Sequence, residues 1–350
     1  MAKELMKGNE ALAEASLRAG CRFFSGYPIT PQTEVLERLS WRMEEVGGQF
    51  IQTESELAGI NMVFGAAAAG ARALTSTSGP GFSLKQEGIS YLCGSDLPAV
   101  IVDVMRMGNA LGDIFQGQGD YWQLTRGGGH GDYRTIVLAP ASVQENADLA
   151  VLAFDLAEKY RHPVLIASDA AIGQMVEPVE LPEMKEHDPS KAEWACLPRK
   201  IREEKYILRN VYYDMGEKPY VTYLKEKYAR MTENEQRYEA VQTEDAEIVL
   251  VAYGISSRIA KAAVKQARAE GFKLGLIRPI TLWPFPQKAF DELGDQVEGF
   301  LTIEMNILAQ MSDDVLLACK HKKPVENYCE FDEVPSVKTV LERAKAMLGK

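Results

Sequence analysis

Alternating helical and strand periods predict an α/β protein built on parallel sheet, with a second, smaller α/β unit downstream. Two observations carry this reading. Strand-length runs such as Pro98-Ala99-Val100-Ile101-Val102-Asp103-Val104 have the near-continuous apolar character of strands buried on both faces. Between such runs lie Ala- and Leu-rich segments of helical spacing that stop at glycines. At 350 residues the chain suits two or three domains of ~150 residues each. The expected division is a first domain over 1–176, a charged linker or arm over 177–245 and a second domain over 246–350.

The first helix is read over 9–19, stopped by Gly20, and 21–25 follows as a short strand. The loop Gly26-Tyr27-Pro28-Ile29-Thr30-Pro31 carries two prolines. Each fixes φ and removes an N–H, so the connection is stiff and sits where a ligand can be held. A helix over 32–46 and a strand over 49–53 come next. From Glu54 to Gly70 the chain is helical, with Glu56 at or near the N-terminus and alanines and glycines along 58–71 leaving little side chain on the helix. That surface suits close packing against a partner or a flat ligand. A strand over 73–78 empties into Gly79-Pro80-Gly81, and the carboxyl ends of such strands are where open α/β sheets bind ligands.

A helix over 84–93 and the strand over 98–104 lead to Arg106. Residues 108–131, rich in Gly, Gln, Asp and aromatics, lack periodicity and read as a long functional or interface loop. A strand over 135–138, a helix over 142–160 and a strand over 163–168 complete the first unit. Residues 177–245 are charged and polar, with a solvated helix expected over 220–241. The second unit has strands at 246–253, 274–277 and 299–304 and a helix ending at Glu270.

Composition narrows the function classes. The 39 basic and 50 acidic residues give a net charge of -11, which argues against a nucleic-acid surface. Charges interrupt residues 1–9, and no apolar stretch approaches the ~20 residues of a membrane span, so a cytoplasmic protein is expected. Five scattered cysteines without a C-x-x-C exclude a disulfide framework and an iron–sulfur or zinc site in this chain. No G-x-G-x-x-G, Walker A, H-E-x-x-H or G-x-S-x-G motif is present, and the four histidines have no metal-ligand spacing.

What remains is the stretch from Gln52 to Gly81. A carboxylate in a helix's first turn is favoured by the dipole alone, so Glu56 by itself says little. Its context says more. The order Glu56, Gly65-Ala66-Ala67-Ala68-Ala69-Gly70, Arg72, Thr75-Ser76-Thr77-Ser78-Gly79-Pro80-Gly81 resembles the pyrimidine-binding domain of thiamine-diphosphate enzymes. With Gly26-Tyr27-Pro28-Ile29-Thr30-Pro31 and the strand-end Arg106, the chain is most similar to the α-type subunits of 2-oxoacid:ferredoxin oxidoreductases, along nearly its whole length. Val251-Ala252-Tyr253-Gly254 and 278–286 resemble the transketolase C-terminal-type domain that follows in that family.

The resemblance implies roles for particular residues. Glu56, rather than Glu54, matches the glutamate that activates the cofactor through its ring nitrogen. Pro28 and Ile29 fall where the family's loop packs on thiamine diphosphate, and Thr30 and Arg106 where the 2-oxoacid is held. A guanidinium is the right group for a carboxylate, although a structural ion pair would also use Arg106. Thr30 would equally suit N-capping of the next helix.

The implied reaction is oxidative decarboxylation of a 2-oxoacid of the 2-oxoisovalerate, branched-chain type to an acyl-coenzyme A, with ferredoxin as electron acceptor. The diphosphate and magnesium motif and the cluster cysteines are absent here. Magnesium, iron–sulfur clusters and the other half of the thiamine diphosphate site are therefore expected on β-type, γ-type and ferredoxin-like partner subunits. The 66–70 face is expected at that interface as well as against the chain's own core, and crystals of the chain alone are expected to hold a homodimer. Three other readings stay open: a 2-oxoglutarate enzyme subunit, a non-catalytic assembly subunit of the same fold, and a self-sufficient thiamine decarboxylase.

Overall fold

A computed structural model describes residues 3–198, 200, 201, 208, 210–331 and 333–349. Its main sheet has seven strands in the order Thr281–Trp283, Ile136–Leu138, Pro163–Asp169, Ala99–Met105, Ala73–Thr77, Phe23–Gly26, Gln49–Gln52. The last six are mutually parallel. Each residue of the three central strands Ala73–Thr77, Ala99–Met105 and Pro163–Asp169 is buried, because helices cover both faces. A second sheet runs Val325–Cys329, Gly299–Glu304, Ile248–Val251, Leu274–Pro279, Tyr238–Val241. Only its edge strand Tyr238–Val241 is antiparallel to its neighbour.

Helices start where local chemistry allows. Ser55 caps the helix Glu56–Ala68, its Oγ accepting from Ala58 N at 3.2 Å. Ser142 does the same for Val143–Tyr160, accepting from Glu145 N at 3.1 Å. The helix Pro80–Gly94 begins earlier than its periodicity suggests, with Pro80 in the first turn, where a missing N–H costs nothing.

Several expectations are corrected. Residues 108–131 are not a plain loop: they contain the helix Tyr121–Arg126, whose Tyr121 is fully buried. The segment 177–245 is more than a solvated arm, though part of it lies outside the described residues. At one end Val176–Val179 pairs with Glu4–Lys7, and at the other Tyr238–Val241 completes the second sheet. Its helix Glu217–Asn234 buries Met231 and Lys227, the latter bonded to Asp96 Oδ1 at 2.8 Å. The second unit also returns a strand to the first: Thr281–Trp283 pairs antiparallel with Ile136–Leu138. The run 66–70, expected against the chain's own core as well as a partner, is partly covered by its own chain. Trp194 Nε1 donates to Ala67 O at 3.0 Å and Cys196 N to Ala68 O at 2.8 Å. These corrections share a cause, since each depends on contacts between residues far apart in sequence.

The two sheets are locked together by buried polar contacts. Arg278 is paired with Glu145, and Gln118 Nε2 donates to Tyr253 O at 3.1 Å. Trp122 Nε1 donates to Gln310 O at 2.9 Å.

Candidate functional site

Four neighbouring parallel strands end on the same edge of the main sheet, and each empties into a segment with functional residues. Phe23–Gly26 leads to Pro28, Ile29 and Thr30; Gln49–Gln52 to Glu56; Ala73–Thr77 to the Gly79-Pro80-Gly81 turn; and Ala99–Met105 to Arg106. Parallel strands place all their carboxyl ends together, so Thr30 and Arg106, 76 positions apart, converge.

Glu56 is the first residue of its helix and only 5% exposed, whereas Glu54 is exposed. The Glu56 carboxylate accepts no hydrogen bond among the described residues. It lies against Gly81: a β-carbon there would stand 2.4 Å from Glu56 Oε1. Only glycine permits this approach. Beside it, the buried hydroxyls of Thr77 and Ser78 have no partner.

Gly79, with φ of 47°, turns the chain toward Arg106: a β-carbon there would be 3.4 Å from Arg106 Cγ. The glycine turn thus stands between Glu56 and Arg106, one glycine facing each. Arg106 is 7% exposed. Its Nη1 donates to Thr30 O at 2.7 Å and its Nη2 to Leu111 O, while Nε is buried without a partner. Thr30 therefore meets Arg106 through its backbone, and it does not cap the next helix, whose N-cap is Gln32. Pro28 and Thr30 are exposed and Ile29 half-buried. The loop is held from below, Gln32 Nε2 donating to Tyr27 O at 3.1 Å and Ser76 Oγ to Gln32 Oε1 at 2.6 Å.

Three buried ionisable residues at this edge escape a reading of the sequence. Lys85 lies beneath Glu56, donating from Nζ to Thr75 Oγ1 at 2.9 Å and to Glu56 O at 3.3 Å. Burial pulls it down to about 7. Asp103 accepts from Gly79 N at 3.1 Å and faces Asp120. Burial raises both carboxyls, Asp120 to about 6 and Asp103 well above the usual range. One oxygen of each has no partner, Oδ2 in both cases, and a single shared proton satisfies the two. The signals were present: Lys85 interrupts the buried stripe Phe82, Gln86, Ile89, and Asp103 interrupts an otherwise apolar strand.

A cavity of about 600 Å³ adjoins the turn, lined by Gly79, Pro80, Met107 and Asp120 from the first unit and Met305 and Leu308 from the second. Among the described residues, none that lines it is basic. Among the described residues there is no group of His, Cys, Asp and Glu that could hold a metal ion, and no helix is long and apolar enough to cross a membrane.

Known proteins match this chain along its length. The family profile described as pyruvate flavodoxin/ferredoxin oxidoreductase, thiamine diphosphate-binding, matches residues 14–249. That of pyruvate:ferredoxin oxidoreductase core domain II matches 246–332. A ketoisovalerate oxidoreductase subunit VorB of Methanothermobacter thermautotrophicus is 52% identical, over 100% of this chain and 99% of its own. A 2-oxoglutarate synthase subunit KorA of Methanocaldococcus jannaschii is 39% identical, over 93% and 94%. The solved 2-oxoglutarate:ferredoxin oxidoreductase of Magnetococcus marinus shares the fold, with a TM-score of 0.85 at 24% identity, covering 99% of this chain and 65% of that one. From the profile over the first unit and the full-length relatives it follows that this chain belongs to the thiamine-diphosphate-dependent 2-oxoacid:ferredoxin oxidoreductases, as one of their α-type subunits.

Proposed function

We propose that this subunit serves a branched-chain enzyme that converts 2-oxoisovalerate and its like to the acyl-coenzyme A, passing electrons to ferredoxin in the cytoplasm. The observation that carries the site is the convergence of Glu56 and Arg106 on the two sides of the Gly79-Pro80-Gly81 turn. Support for the substrate comes from the 52% identity to a ketoisovalerate enzyme subunit, against 39% to a 2-oxoglutarate one.

The residues present fit one half of a thiamine diphosphate site. Glu56 is buried and its carboxylate accepts no hydrogen bond among the described residues, the buried hydroxyls of Thr77 and Ser78 are unpartnered, and Gly81 leaves room that any side chain would fill. When bound, thiamine diphosphate supplies the carbon nucleophile and the electron sink for decarboxylation. Glu56 holds and exchanges a proton with the aminopyrimidine ring, and Pro28 and Ile29 pack against the cofactor. Arg106 neutralises the carboxylate of the 2-oxoacid beside Thr30. Magnesium, the diphosphate contacts and the iron–sulfur clusters come from β-type, γ-type and ferredoxin-like partners. The division at 176 and 245 belongs to the same reading, except that the strand Tyr238–Val241 from the 177–245 segment joins the second sheet.

Co-expression with the β-type partner and methyl-viologen reduction with a panel of 2-oxoacids tests this. We expect the highest kcat/KM for 2-oxoisovalerate and loss of turnover in Glu56→Gln. A preference for 2-oxoglutarate overturns the substrate, and full activity in Glu56→Gln overturns the role of Glu56.

A further inference from the structure

Lys85 is wholly buried, and among the described residues no carboxylate pairs with it directly. Such an amine is costly in a protein interior, where an isolated charge loses its hydration. Methionine, similar in length and apolar, would fill the space without that cost. The side chain comes from the helix Pro80–Gly94 and reaches under the first turn of Glu56–Ala68, where its Nζ meets the backbone carbonyl of Glu56 and the hydroxyl of Thr75. Thr53 and Gly59 line the same spot: a β-carbon on Gly59 would be 3.3 Å from Thr53 Oγ1 and 3.4 Å from Lys85 Nζ. Of the groups on these elements, Glu56 is the one whose charge bears on Lys85.

We propose that Lys85 is a positioning residue for Glu56, its ammonium holding the first helical turn through the Glu56 carbonyl and so fixing where the carboxylate stands. The proposal rests on the reading of Glu56 as the proton-exchanging group. It assigns the cost of an interior lysine to the one residue whose charge state the chemistry uses. Because burial pulls Lys85 down to about 7, its proton leaves as the pH rises past neutrality, and the support to the Glu56 carboxylate leaves with it.

Lys85→Met tests this by two readouts. The first is unfolding of the full chain between pH 6 and pH 9. The folded state releases the Lys85 proton near pH 7 while the unfolded chain keeps it to about 10.4. Wild type should therefore gain stability relative to Lys85→Met as pH rises over this range. The second is exchange of the thiazolium C2 proton in thiamine diphosphate bound to the reconstituted complex. Wild type should lose exchange rate above pH 7, whereas Lys85→Met should be flat and about tenfold slower at pH 6.5.

Parallel stability profiles for the two proteins, or the same exchange profile in both, overturn the proposal. If Lys85→Met does not fold, the wild-type exchange profile decides: a break near pH 7 supports the proposal and a flat profile overturns it. Turnover retained in Glu56→Gln would overturn the reading of Glu56 and leave the unfolding result standing, so the two failures are distinguishable.

Discussion

The carboxylate of Glu56 and the α-carbon of Gly81 are packed so closely that a β-carbon at position 81 would stand 2.4 Å from Glu56 Oε1 and 2.1 Å from Thr77 Oγ1. Gly81→Ala therefore forces the carboxylate or the turn to move. Overpacking of this kind costs about 1–3 kcal/mol. Turnover of the reconstituted enzyme should fall by about tenfold or more. Unchanged steady-state rates would show that the carboxylate needs no fixed position.

Arg106 spends two of its nitrogens on the backbone carbonyls of Thr30 and Leu111, which sets the plane of its guanidinium. A lysine keeps the charge and loses the fork. Arg106→Lys should raise KM for the 2-oxoacid by about tenfold, with a smaller change in kcat, as expected for loss of a charge-assisted bond worth roughly 1.5–3 kcal/mol. Steady-state kinetics over a substrate series checks the split.

The buried pair Asp103 and Asp120 makes stability depend on pH. Both carboxyls are raised by burial, Asp120 to about 6. In strong acid the unfolded carboxyls are protonated too, and the pair carries no penalty. Above about pH 4 the unfolded carboxyls ionise freely while the folded pair resists, so the folded state loses stability as pH rises, up to about 6 for Asp120 and beyond that for Asp103. In Asp103→Asn the amide can donate to Asp120 and still accept from Gly79 N. Melting temperatures should show the variant gaining on wild type between pH 5 and pH 8.

Lys227 and Asp96 tie the helix Glu217–Asn234 to the first unit. Lys227 is 1% exposed and its Nζ is 2.8 Å from Asp96 Oδ1. Asp96→Ala leaves that ammonium buried without its counter-charge, with the Arg161 carbonyl at 3.0 Å as its remaining acceptor, and should destabilise the chain by about 3–5 kcal/mol, whereas Lys227→Met should cost far less. Denaturant unfolding of the two variants side by side tests the asymmetry.

Much of the fold and the site could be read from the sequence because the informative features are local. The strand Ala99–Met105 announces itself by an apolar run, and Glu56–Ala68 by a carboxylate, a small-residue run and a closing glycine. Local order placed the loop of Thr30, the turn at Gly79 and Arg106 each at the end of a strand, and the family resemblance joined them into one site. Lys85 and Asp103 were visible only as breaks in apolar periods, which say that a residue is out of place without saying what it meets.

By itself, then, the sequence determined the α/β alternation, the elements that carry Glu56, the glycine turn and Arg106, and the family resemblance. The tertiary structure alone decided that Thr281–Trp283 crosses back into the first sheet, that residues near 194 cover the 66–70 run, and that Lys85 ends beneath Glu56. The physical reason is the range of the interactions. Periodicity and capping depend on residues within a turn or two of one another, whereas a strand's partner or a buried amine's neighbour is chosen by packing between segments tens to hundreds of residues apart.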